Sequence, residues 1–411
     1  MINNEALKLV NVAEQECSEI FKKLEEICLI NQKKVLDAFR DANIQLSDIA
    51  YSTGYGNDDR AKHKLAEIYA RAFGGETGIV SPLLTSGTHS LTVALFGILR
   101  PGDIMFSLTG KPYDTLINVI FGENIGSLKD FKIKYEDVEL KDNDFDLEKI
   151  LDRLSKINPK LIYIQRSRGY TTRESLSIEK IERVIKEIRK VNKTAIIMVD
   201  NCYGEFVETR EPCDVGADVM VGSLIKNAGG GIAPTGGYIV GRKDVIEQIS
   251  SRFIAPGIGM DLGSYAGNYT PFFQGIFSAP HVVLGALKGN ILFGQVASKF
   301  GIKSFPKLDQ MPHDIVRSIE FGDADKLIEF CRLIQSLSPV DSSAVPFPWD
   351  MPGYNDKIIM ASGSFIQGSS IELSADGPIR PPYICYLQGG LTYEHIKIAT
   401  IEFADIYLNK K

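Results

Sequence analysis

The sequence predicts an α/β protein: a large domain around a mainly parallel sheet, followed by a smaller α+β domain. Three observations carry that expectation. The chain has 411 residues, too long for one small core. From about residue 78, short apolar runs alternate with helix-like stretches, which is the pattern of βαβ units. Residues 320–411 break that rhythm with a helix, short strands and a final helix. The expected parts are a helical segment over 1–50, a large domain over 51–285, and a small domain over 286–411 that begins with a connecting helix.

Each element has its own signal. Residues 5–40 read as helical, because Leu7, Val10, Ala13 and Cys17 recur at helical spacing among Glu and Lys. A turn-rich segment over 51–60 precedes a second helix from Lys64 to Phe73. Ile79–Leu84 is a short apolar run, and after Ser86-Gly-Thr-His89 a helix runs to Leu99, stopped by Arg-Pro-Gly-Asp103. Ile104–Phe106, Lys160–Ile164, Ala195–Val199 and Ala217–Val221 read as strands. Ile178, Ile181, Ile185 and Ile188 mark an amphipathic helix between two of them. Residues 250–285 are rich in Gly, Pro, Phe and Ala, too apolar for a solvated loop, and read as a site wall or a subunit interface. A helix is expected from Val282 to Phe300.

Composition narrows the function classes. A net charge of −6 argues against a general binder of nucleic acid or anionic membranes. The six cysteines are scattered, with no CxxC pair, so neither a zinc ribbon nor a disulfide framework is suggested and a reducing compartment fits. No His/Cys/Asp cluster has metal-ligand spacing, and no metal is expected. No apolar stretch is expected to approach the roughly 18–20 residues of a membrane span, and the first residues lack the basic and apolar regions of a signal peptide. A cytoplasmic location is the expectation.

The chemistry concentrates at strand ends. Asp200 closes the run Ala195-Ile-Ile-Met-Val-Asp200, and Lys226 follows the next run in Gly222-Ser-Leu-Ile-Lys226. In open parallel sheets, ligands gather at the carboxyl ends of strands. A lysine able to form a Schiff base, with an acid able to keep a pyridine nitrogen protonated, is what pyridoxal 5'-phosphate requires. Ser86-Gly-Thr88 opens a helix, where free amides and the helix dipole favour a phosphate, although an ordinary N-cap accounts for the same residues. Ser223 could donate to that phosphate or merely cap a turn. Tyr113 follows another strand end, where it could stack on the ring and offer its hydroxyl for proton transfer, or simply pack. His89 reads equally as a hydrogen-bond partner of the cofactor or a structural histidine, and Arg166 and Arg168 equally as site-lining residues or surface charge.

The order Ser86-Gly-Thr, Pro101-Gly-Asp103, Tyr113, Asp200, Ser223-x-x-Lys226 resembles fold-type I pyridoxal-phosphate enzymes of the cystathionine and methionine lyase branch. The resemblance is closest to the bacterial aluminium-resistance group. It extends over roughly residues 50–395, through Thr53-Gly-Tyr-Gly56, Val199-Asp-Asn-Cys-Tyr-Gly-Glu205, Gln274-Gly-Ile-Phe-Ser-Ala-Pro-His281 and Glu372-Leu-Ser-Ala-Asp-Gly-Pro-Ile-Arg-Pro-Pro382. It implies an aspartate aminotransferase-like fold with a seven-stranded sheet. It also implies Lys226 as Schiff-base lysine, Asp200 as ring partner, Tyr113 as stacking tyrosine, and Ser86, Gly87, Thr88 and Ser223 as phosphate ligands. Tyr55 would reach the phosphate of a neighbouring subunit, so a dimer is the least assembly and a tetramer is expected. Arg380 is the candidate for the substrate carboxylate, with a surface ion pair as its other reading. Two departures stand out: Asn57 replaces the branch's usual phosphate-binding arginine, and Ile225 its hydroxyl residue before the lysine. The reaction expected is carbon–sulfur cleavage of cystathionine, methionine or cysteine. Transamination, aldol cleavage, or a cofactor-binding stress protein without turnover remain alternatives.

Overall fold

A computed structural model describes residues 3–49, 51–52, 54–351 and 354–409. The N-terminal helical segment is two helices, α1 (Asn4–Glu16) and α2 (Ser18–Asp41), meeting at Cys17. Helix α3 (Arg60–Ala72) is capped by the Asp59 carboxylate. The alternating region then follows as β1 (Thr77–Ser81), α4 (Gly87–Ile98), β2 (Ile104–Ser107), α5 (Asp114–Phe121), β3 (Lys134–Asp137), α6 (Leu147–Leu154), β4 (Leu161–Gln165), α7 (Ile178–Val191), β5 (Ile196–Asp200), β6 (Val219–Ser223), β7 (Gly237–Gly241) and α8 (Lys243–Phe253).

These seven strands form one sheet in the order β1-β7-β6-β5-β4-β2-β3. Strand β7 runs antiparallel to β1 and β6, and the other pairs are parallel. Helices cover both faces, so the inner strands β4, β5 and β6 are buried throughout, yet their side chains still alternate between faces. Ile196 and Met198 pack with α4, α5 and α8, while Ile197 and Val199 pack with α6 and α7. Two strands were not anticipated. Strand β3 is a polar edge strand with exposed ends, and β7 is a short apolar run set among glycines.

The long helix α9 (Thr270–Lys299) begins earlier than expected and runs through the Gly/Pro/Phe-rich stretch. Pro271 sits in its first turn, where no amide partner is lost. The expected domain boundary at 285/286 falls inside this helix. Contrary to the expectation of no such stretch, α9 is long and apolar enough to cross a bilayer, but most of that window is buried within the protein. It packs against α2 and the C-terminal helix α11 (Tyr393–Asn409), which also contacts α1.

The small domain carries a second sheet, built from β8 (Lys303–Phe305), β9 (Val316–Glu320), β10 (Ile358–Ala361), β11 (Ser374–Pro378) and β12 (Ile384–Gln388). Its order is β10-β11-β12-β9-β8, antiparallel throughout, with α10 (Ala324–Ser336) against β10 and β11.

The glycines of α9 have a packing reason. A Cβ on Gly275 would lie 2.4 Å from the Gly229 carbonyl oxygen, in the turn that follows Lys226. Gly275→Ala improves helix propensity by about 1 kcal/mol, yet it must push α9 off that turn. We expect a net loss of about 1–3 kcal/mol, read as a lower urea midpoint at unchanged slope, together with weaker cofactor retention.

Candidate active site

The carboxyl ends of β4, β5 and β6 lie side by side, with Gln165 paired to Asp200 and Asp200 to Val221. A cavity of about 310 Å³ opens over them and is closed on its far side by the small domain. Lys226, Asp200, Tyr113, Ser86, Gly87, Thr88 and Ser223 all line it. The sequence scattered these residues over 141 positions (226 − 86 + 1), and the fold brings them together.

Lys226 sits at the start of a tight turn whose next residue is anchored. Asn227 Nδ2 donates to the carbonyls of Tyr203 and Glu205, both at 3.0 Å, which ties the Lys226 turn to the loop after β5. The Lys226 ammonium stands 4.0 Å above the Tyr203 ring. Burial opposes its charge, but Cys202, Tyr203 and Asp200 around it favour the ammonium, and its pKa is raised above that of free lysine.

Asp200 is fixed by two donors: the Cys202 amide at 3.1 Å and the Tyr163 hydroxyl at 3.3 Å. Burial raises its carboxyl pKa, while Lys226 and the Cys202 amide hold the rise back. Arg166, for which site-lining and surface positions were equal expectations, takes neither and is buried beneath this loop. It donates to Asn201 Oδ1 at 2.8 Å and to the Gly204 carbonyl at 2.9 Å, so it shapes the turn that carries Asp200. Arg168 is buried as well, with Nη1 donating to Ser318 Oγ at 3.2 Å.

The N-terminus of α4 forms the opposite end. The first amides of a helix have no partner within it, and the Ser86 hydroxyl accepts from the His89 amide at 3.0 Å. His89 Nδ1 in turn faces the Thr85 amide and hydroxyl, both at 3.2 Å, a structural role. A Cβ on Gly87 would stand 3.4 Å from Cys202 Sγ and 3.5 Å from Ser223 Cβ, ordinary contacts, so it would fit without a clash while taking up part of the cradle. Thr88 Oγ1 lies 3.0 Å from the Tyr113 hydroxyl, and the Gln165 side chain accepts from the Tyr113 amide at 2.9 Å. Tyr113 is thus held at both ends, with burial pushing its hydroxyl pKa upward. The open cradle, the buried acid and the lysine fit a pyridoxal phosphate group by their donor and acceptor chemistry.

Two expected residues lie elsewhere. Tyr55 is 77% exposed and does not line the cavity of its own chain. Thr53, of the same motif, lies outside the described residues. Arg380 does not line the cavity either. Its guanidinium donates to Asp356 at 2.7 Å and to the Tyr170 carbonyl at 3.3 Å, the ion pair that was its alternative reading. Several lining residues went unassigned in the sequence, among them Gln165, Tyr203, Tyr354 and Asp376. For Gln165 a signal existed, since it ends the strand beside Asp200.

A twisted, mainly parallel seven-stranded sheet with this strand-end site is the fold of the pyridoxal-phosphate-dependent enzymes of fold type I. A pyridoxal-5'-phosphate-dependent protein of Escherichia coli shares it at 16% identity and TM-score 0.61, a likeness of fold alone. Within that class, the chain belongs to the methionine gamma-lyase family, which it matches over residues 6–407. The uncharacterized protein YnbB of Bacillus subtilis is 49% identical over 404 residues, 97% of this chain and 95% of that protein. A solved carbon-sulfur lyase involved in aluminum resistance from Clostridium novyi is 48% identical, with TM-score 0.94, covering 98% of this chain and 96% of its own. A Clostridium acetobutylicum structure, provisionally named a cystathionine beta-lyase involved in aluminum resistance, is 46% identical, with TM-score 0.95 and coverages of 99% and 96%.

Proposed function

We propose that this protein is a pyridoxal-phosphate-dependent carbon–sulfur lyase that releases a thiol from a sulfur-containing amino acid. The observation that carries the reading is that Asp200, at the carboxyl end of β5, and Lys226, in the turn that follows the neighbouring parallel strand β6, line one cavity together with Gly87. Pyridoxal phosphate, when bound, supplies an aldehyde that takes the substrate amine and a ring that accepts the electron pair released at Cα. Ser86, Gly87, Thr88 and Ser223 would hold its phosphate. Asp200 would hold a proton at the ring nitrogen. Tyr113, oriented through Thr88 and Gln165, would support the ring. Lys226 would anchor the cofactor and supply the amine that takes the Cα proton, and it or the Tyr113 hydroxyl would return a proton to the departing sulfur.

A product assay tests this reading. Amino acids are added singly to the holoprotein, and 2-oxo acid, ammonia and thiol should appear in equal amounts. Stoichiometric transfer of the amino group to a second oxo acid, with no thiol, would make it a transaminase. Retained cofactor without loss of any amino acid would leave a binding protein.

The proposal includes a shared site. Tyr55 is exposed in one chain and reaches the phosphate of a partner, so a homodimer is the least active unit and a tetramer the expected one. Losing one hydrogen bond to a charged group costs about 1.5–3 kcal/mol. Tyr55→Phe should therefore weaken cofactor affinity by roughly tenfold or more, measured by cofactor release on dilution. Unchanged retention would remove Tyr55 from the site. A cytoplasmic location belongs to the same proposal, because six free cysteines and a thiol product suit a reducing compartment.

A further inference from the structure

The small-domain wall of the cavity is polar and unsatisfied. Asp376, on β11, lines the cavity and is 6% exposed. Gln388 Nε2 donates to its Oδ2 at 2.9 Å and the Tyr170 hydroxyl stands close enough to favour the carboxylate, but Oδ1 makes no well-formed hydrogen bond. The hydroxyls of Ser369 and Ser374 line the same cavity, buried and likewise without partners. A buried acceptor left dry is costly, so such a wall is shaped for a ligand that brings donors.

The surroundings of Asp376 select the kind of donor. Tyr170, Tyr354 and Tyr386 line the cavity beside it, with the Tyr170 ring tilted against its neighbours, 5.1 Å from Tyr386 and 5.6 Å from Tyr354. A carboxyl among aromatic faces favours a cation over a neutral group. Among the described lining residues, the one cationic side chain is Lys226, already placed over Tyr203. Asp114, another acid, lines the same cavity. Burial pushes the Asp376 carboxyl up to about 7, with Tyr170 and Gln388 pulling the other way, so a bound cation is what would hold it ionised at neutral pH.

We infer that Asp376 reads a protonated amino group at the far end of the substrate side chain, making thioether amino acids with a second amine the preferred substrate class. The inference rests on the carbon–sulfur lyase reading and adds a specificity determinant to it. A substrate ending in a methyl group leaves Oδ1 dry, and one ending in a lone carboxylate meets two acids.

The test compares two amino acids of equal shape, S-(2-aminoethyl)-L-cysteine and S-propyl-L-cysteine, on the holoenzyme. Binding is followed by the visible spectrum of the cofactor, and turnover by thiol release. The wild type should favour the aminoethyl compound by about tenfold or more, the worth of one charge-assisted hydrogen bond. Asp376→Asn keeps the side-chain shape and the contact with Gln388 but puts an N–H₂ where the acceptor stood. It should lose that preference through KM, with the propyl compound handled as before. A wild type that treats both alike, or prefers the propyl compound, overturns the inference whether or not the variant folds. A folded variant with its preference intact overturns it too. If the holoenzyme neither binds nor cleaves either compound, this inference is overturned, while the lyase reading is decided separately by the product assay.

Discussion

Lys226→Ala should reduce turnover by at least about 10³-fold, the upper range for loss of a positioned general base. Two roles vanish together: the anchor at the cofactor aldehyde and the amine that takes the Cα proton. The two can be separated. The phosphate cradle of α4 is untouched by the substitution, so cofactor should still bind, but reversibly, and borohydride should no longer fix it to the chain. A small primary amine in solution can replace part of the base function but not the anchoring, so ethylamine should restore a few per cent of turnover. Stability should fall modestly, because the cation over Tyr203 is lost. A variant that keeps a borohydride-fixed adduct in this cavity would move the anchor to another lysine. None lines the cavity among the described residues, which makes this a sharp test.

How much of this was legible without the structure depended on distance along the chain. Asp200 and Lys226 could be read because each ends a local apolar run, and strand ends in parallel sheets converge on one edge. Ser86–Thr88 could be read because a helix N-terminus is a local signal. Asp376 could not be assigned a role. It sits mid-strand in a short antiparallel sheet, and its place over the cavity depends on how α9 and β9–β12 set the small domain against the large one. Arg166 could not be placed for a related reason: a charged residue after a strand suggests either the site or solvent, but here the Glu208 carboxylate, Asn201 and the Gly204 carbonyl satisfy it in the interior. The helix over 270–281 was hidden by its composition. Gly275 and Pro271 look like breakers in sequence, whereas one allows close approach to the Gly229 turn and the other fits a first helical turn. Tyr55 is a further case, since its proposed partner lies on another chain.

Asp200→Asn should separate catalysis from folding in the opposite way to most buried substitutions. The amide has the shape of the carboxylate and can still accept from the Cys202 amide, and its other end can donate to the Tyr163 oxygen. Packing is therefore kept. What changes is charge: a neutral amide cannot hold a proton at a ring nitrogen, so the cofactor ring is a poorer electron acceptor. Loss of one preorganised electrostatic partner costs roughly 10²–10³ in turnover, and we expect a decrease of that size, with KM little altered. Stability should not decrease. The carboxyl pKa of Asp200 is raised in the folded protein, so at pH values above its unfolded pKa the folded state gives up its proton less readily than the unfolded one. Its contribution to stability is then greatest at low pH and is lost as pH rises from the unfolded pKa through the raised folded one. The amide has no proton to lose. The variant should match or exceed the wild type in urea midpoint at neutral pH, with a flatter stability profile from acid to neutral. A variant that loses stability at pH 7 while keeping its turnover would show that the Asp200 charge serves the fold and leave the ring nitrogen without its partner.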